Sequence, residues 1–84
     1  LKREFMIQIT ADLKEELELL LKFPDKSLNQ GLKIHHDAGT EVVAAAQRLF
    51  DKGVTTLVDG GYLTPLGLDL QEHAHTLVSA LNVE

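Results

Sequence analysis

Gln47, Arg48 and Lys52 carry side chains able to touch nucleic acid, and their spacing lets them share the solvent face of one helix. Arginine and lysine neutralise phosphates, while glutamine and arginine reach base edges in a major groove. Lys33, upstream, adds a fourth contact. This set predicts duplex DNA as a partner, with a helix spanning Thr40–Lys52 inserted into the major groove. The charge around it is mixed. Glu41 and Asp51 offset the cations of the helix, and Asp59 stands where a hairpin is expected. All eight basic residues fall within the first 52 positions, so Gly53 to Glu84 carries four acids and neither Lys nor Arg. A strong electrostatic footprint on DNA takes about 6–10 phosphate contacts.

Four histidines bring metal-ligand chemistry, as His35-His36-Asp37 and His73-Ala74-His75. Neighbours on a strand point to opposite faces, and residues two apart on a helix stand roughly 200° apart. Neither pair chelates alone; only a site shared between elements, such as His35 with His73, has the geometry. No metal site is therefore expected, and Asp37 reads as a helix cap. Catalysis finds less support. Gly60-Gly61 belongs to a hairpin rather than to a phosphate loop between strand and helix. Glu15, Glu16 and Glu18 read as a solvated helix face, and no motif gives Ser27 or Ser79 a base. Neither an enzyme nor a cofactor is expected.

Composition narrows the class. The chain has 84 residues, 44% hydrophobic and 25% charged, with a formal charge of −5. That balance predicts one small domain with a packed core rather than disorder. The longest apolar runs, Leu19–Leu21 and Val42–Ala46, are too short for a transmembrane helix. A secretory leader is not recognisable, so a cytoplasmic location without a membrane partner is expected. The chain has no cysteine, which excludes disulfides, thiolate metal sites and cysteine nucleophiles. Leu1–Phe5 precede Met6 and read as an appendage to a single domain over residues 6–84.

The elements that must position these residues follow from periodicity. Ile7–Ile9 reads as an extended lead-in. Thr10 caps a first helix whose Leu13, Leu17, Leu20 and Leu21 form one apolar stripe, and Pro24 ends it near Lys22. Residues 24–30 form a polar connection. Gly31–His35 alternates as a short strand with Leu32 and Ile34 on one face. Asp37 or Thr40 caps a second helix with Val42, Val43, Ala46, Leu49 and Phe50 inward, closed by Gly53 in a left-handed cap. Val54–Val58 and Tyr62–Thr64 flank an Asp59-Gly60-Gly61 turn that sets Leu57 opposite Leu63 and Val58 opposite Tyr62. Thr64-Pro65 opens a third helix with Leu66, Leu70, Ala74, Leu77, Val78 and Leu81 on its apolar face. Leu68 lies off that face and marks a second contact surface, suited to a homodimer or a protein partner.

Leu49-Phe50-Asp51-Lys52-Gly53 running into a hairpin, then Tyr62-Leu63-Thr64-Pro65-Leu66-Gly67 opening a helix, is similar to the end of many bacterial winged-helix regulators. From about Met6 to Leu81 the chain also resembles a family of small bacterial proteins without an assigned activity. The resemblance rests on Gly31-Leu32-Lys33-Ile34-His35-His36-Asp37-Ala38, on Gln47–Gly53 and on Asp59-Gly60-Gly61-Tyr62-Leu63-Thr64. It implies an α+β, mainly helical, winged-helix-like fold, and some members carry the label DNA-binding protein or regulator. One helix stands here in place of the pair that usually makes the helix-turn-helix. The sequence thus predicts a non-catalytic protein of DNA binding or transcription regulation, with Gln47, Arg48, Lys52 and Lys33 as contacts. The alternative is an interaction or dimerisation module that keeps the fold without binding DNA.

Overall fold

Thr10 starts the first helix as its sequence requires, its hydroxyl accepting the Leu13 N–H at 3.1 Å. The computed structural model describes residues 8–24 and 30–82. The proposed appendage Leu1–Phe5, Ile7 and most of the 24–30 connection lie outside the described residues. Helix α1 covers Ala11–Lys22 and stops ahead of Pro24, with Phe23 already extended. Strand β1 is Leu32–Lys33, shorter than the Gly31–His35 expected, although the Ile34 N–H adds a bond to the Asp59 carbonyl at 2.8 Å. Helix α2 covers Thr40–Asp51, strand β2 Thr55–Leu57, strand β3 Gly60–Leu63 and helix α3 Pro65–Leu81. Three helices thus support a small antiparallel sheet of order β1-β3-β2, an α+β and mainly helical, winged-helix-like layout. Among the described residues no helix is long and apolar enough to cross a membrane.

One apolar cluster joins the elements. Leu19, Leu20 and Phe23 of the α1 end, Ile34, Ala45, Ala46 and Leu49 of α2, Val54, and Ala74 of α3 are buried together. Three of those nine are alanines, and among the described residues no large side chain is sealed completely. The helices that were expected to bury their leucines have turned. On α1 the buried line runs Glu16, Leu19, Leu20, Phe23, leaving Leu17 and Leu21 half-buried and Leu13 40% exposed. On α2 the buried residues are Ala45, Ala46 and Leu49, while Val43 and Phe50 stay exposed. On α3 the inward residues are Gly67, Gln71 and Ala74, while Leu66, Leu70, Leu77 and Leu81 are 47%, 37%, 57% and 78% exposed. Leu77 is therefore a surface residue rather than a core one, and Leu68, expected off the apolar face, is half-buried.

Caps and turns account for the rest. Gly39, not Asp37 or Thr40, is the N-cap of α2, and it makes no side-chain capping bond. Gly53 takes φ +79° after α2, the left-handed closure that its position predicts. Thr64 caps α3 by accepting the Gly67 N–H at 3.0 Å, and it donates to the Gly53 carbonyl at 2.6 Å, so one hydroxyl ties α2 to α3. The hairpin register differs from the expected one. Thr55 pairs with Leu63 and Leu57 with Gly60, so the loop is Val58-Asp59 and the glycines belong to β3. An extra residue in β3 makes a bulge, and the Thr56 hydroxyl accepts the displaced Tyr62 N–H at 2.9 Å.

Gly60 combines φ +115° with a close backbone approach: a Cβ there would run into the Leu32 carbonyl of β1. Gly60→Val is expected to cost roughly 2 kcal/mol or more from backbone strain alone, before the clash is added. Urea unfolding reads this as a lower midpoint; an unchanged midpoint would refute the β1-β3 register.

Candidate functional site

Glu16 occupies a core position of α1. It lies one turn before Leu19 and Leu20 and two before Phe23, so the periodicity that buries those residues buries Glu16 too. A buried carboxylate is costly unless cations and hydrogen bonds compensate it. Here each oxygen has a cation: Arg48 Nε donates to Oε2 at 2.6 Å and Lys52 Nζ to Oε1 at 2.5 Å. Arg48 and Lys52 stand one turn apart on the α1-facing side of α2, which is why one carboxylate reaches both. Arg48 Nη2 also donates to the Asp12 carbonyl at 3.2 Å. Burial pushes the Glu16 pKa up, but Lys52 and Arg48 outweigh it and hold the carboxyl below its usual value.

The other two candidate contacts lie elsewhere. Lys33 hydrogen-bonds Asp59, clamping β1 to the hairpin loop, and chiefly through that bond the Asp59 carboxyl is held below its usual value. Gln47 donates to Asp51 Oδ1 at 2.9 Å along α2. Lys33 and Gln47 line a cleft of about 290 Å³ with His35, His36 and Val43. Arg48 and Lys52 turn to α1 instead. Gln47, Arg48 and Lys52 therefore do not share a solvent face as expected, because the buried carboxylate draws Arg48 and Lys52 across the helix interface. Each of the four predicted contacts is engaged by an acidic side chain.

The histidines are exposed and stand apart. His35 and His36 line the cleft beside β1, whereas His73 lines a different cavity and has Nε2 3.6 Å from Asp69 Oδ1. Among the described residues no group of three or more His, Asp or Glu is placed to hold a metal. That second cavity is the larger apolar feature, a groove of about 390 Å³ between α1 and α3. Leu13, Leu17 and Leu20 line one side, and Leu70, Ala74 and Leu77 the other; Glu16, Lys52 and His73 are its polar lining.

Two functional-grade polar residues escape a sequence reading. Glu16 looks like one of three solvated glutamates unless the stripe is drawn through Phe23. Gln71 is buried on α3 and donates to the Leu20 and Phe23 carbonyls at 3.2 and 2.8 Å, satisfying the end of α1. Its only signal was a polar residue spaced with Gly67 and Ala74.

Fold and site together define a small winged-helix-like protein in which Lys33, Arg48 and Lys52 pair with acidic side chains of the same chain and whose α1-α3 groove is largely apolar. The chain belongs to DUF5669, a family of unknown function, whose model matches residues 7–82. No curated protein and no solved structure matches it.

Glu16→Gln is expected to lower stability at neutral pH by roughly 1–3 kcal/mol, since it weakens charged hydrogen bonds. The folded Glu16 pKa lies below the unfolded value, so this stability is present above about pH 4.3 and disappears as pH falls through the folded value. Urea unfolding of both proteins over acid pH should show their difference closing; a constant difference would remove Glu16 ionisation as its source.

Proposed function

We propose that this protein is a non-catalytic, cytoplasmic interaction module that docks an apolar helical surface in the α1-α3 groove. The carrying observation is that leucines with the spacing of a core line an open groove. Leu13, Leu17 and Leu20 on α1 face Leu70 and Leu77 on α3 across it, and Leu13, Leu70 and Leu77 keep more than a third of their surface in water. Covering such surface is favourable by about 25 cal/mol for each Å² removed from water. The thin, alanine-rich core leaves that burial to a partner.

The engaged cations argue against duplex DNA as that partner. A phosphate taking Arg48 and Lys52 must compete with Glu16 and would leave its carboxylate without a cation. A phosphate at Lys33 must likewise displace Asp59. The acidic stretch from Gly53 onward adds repulsion.

Fluorescence anisotropy of labelled random duplex DNA, titrated with protein at about 20 mM salt where screening is weak, decides between the two readings. No saturable binding is expected. Saturable binding that weakens steeply with salt would overturn the docking reading and restore Gln47, Arg48, Lys52 and Lys33 as DNA contacts.

A further inference from the structure

Strand β1 ends at Lys33, and the chain then turns instead of continuing to alternate. The Ala38 N–H donates to the His35 carbonyl at 3.0 Å, which bends the segment that carries both imidazoles. His35 and His36 therefore line one cleft, although neighbours on a strand would point to opposite faces. Helix α2 adds Val43, Ala46 and Gln47, and the hairpin loop adds Val58 and Asp59. Three separate segments thus border a space of about 290 Å³, at the lower end of small-molecule sites. It shares no lining residue with the α1-α3 groove, so nothing in it depends on the docking reading.

We propose that this cleft binds a small carboxylate with an apolar body, of the aromatic or branched-chain class. The apolar half of the lining joins core to surface. Ile34 and Ala46 are buried, whereas Val43 and Val58 keep 37% and 45% of their surface in water. An apolar body seated between them removes that surface from water, which is favourable.

The polar half selects the charge. Each imidazole keeps an N–H donor in either protonation state. Among the described residues His73 alone of the histidines has an ion-pair partner, so the His35 and His36 rings have their donors to give. Asp59 is the acid of the lining, and Lys33 already answers it, so it does not turn an anion away. A cationic ligand would have to take Asp59 from Lys33. A doubly charged phosphate asks for a fixed cation, and the Lys33 ammonium is held. A carboxylate instead sets two oxygens against two imidazole N–H groups, in charge-assisted hydrogen bonds.

NMR titration of the isotope-labelled full chain with sodium benzoate tests the site. Benzoate should give saturable shifts at residues 33–36, 43–47 and 58–59, with a dissociation constant of about 10 mM or tighter. The ring signals of His35 and His36 should move with them. Acetate, which lacks the apolar body, should bind roughly tenfold more weakly. Benzylammonium, with the body and the opposite charge, should leave these signals in place. His35→Ala with His36→Ala should weaken benzoate about tenfold. Both residues are exposed, so the urea midpoint of that variant should stay unchanged. Val43→Asp, which sets a like charge on the lining, should abolish binding. Benzylammonium binding as tightly as benzoate, or benzoate indifferent to loss of both imidazoles, would overturn the carboxylate as ligand. Shifts confined to the α1-α3 groove, or no saturable shift at all, would overturn the cleft as a site.

Discussion

A carboxylate in the interior has to be answered, and Glu16 sets that demand for this molecule. Two cations from a single turn of α2 answer it, so the pair Arg48 and Lys52 is positioned by what α1 buries rather than by what solvent offers. The consequence is geometric. Helices α1 and α2 are held in one rotational register, since turning α2 by one residue would take both cations away from the carboxylate. Hydrophobic contacts alone do not fix such a register, because apolar side chains tolerate sliding and exchange.

With α1 committed to α2, α3 reaches α1 through a smaller contact that is polar at its centre. Gln71 donates to the Leu20 and Phe23 carbonyls at the end of α1, which is a cap delivered from a distant helix. Gly67 lets α3 sit against the backbone of Val54, and a Cβ there would collide with its carbonyl. Small and polar residues thus do the work on the inward side of α3. Its leucines, freed from that duty, stand on the adjoining side.

This division explains what the sequence could and could not reveal. Helix spans and their caps were legible wherever a local rule decides: Thr10, Pro24, Gly53 and Thr64-Pro65 all act within four residues of themselves. The third strand and the three-helix layout followed from the same local signals. Helix rotation was not legible, because a stripe of leucines reports that an apolar neighbour is wanted, not which chain provides it. Within the stripes Leu13-Leu17-Leu20 and Leu66-Leu70-Leu77-Leu81, it is Leu13, Leu17, Leu70 and Leu77 that line the groove, Leu20 belongs to both groove and core, and Leu66 and Leu81 are exposed beyond it. The hairpin misled for a related reason. Gly60-Gly61 resembles a turn centre, but tertiary contact with β1 claims Gly60 for the strand and moves the loop to Val58-Asp59. That Arg48 and Lys52 reach Glu16 was not legible either, since nothing local to α2 announces a buried acid on α1.

The ion pairs and the groove are parts of one arrangement. Glu16 and Lys52 line the groove beside Leu13, Leu17 and Leu70. An unpaired carboxylate in that position would veto any apolar occupant, because covering it removes the water that solvates it. Paired on both oxygens, it presents little residual charge, and the long apolar stem of Lys52 extends the lining while its ammonium stays half in solvent. Neutralisation of Glu16 by α2 is therefore a precondition for an apolar groove between α1 and α3. The same two cations cannot serve a phosphate and keep that groove coverable. Arg48 and Lys52 are thus engaged by Glu16 at the edge of a groove lined by leucines.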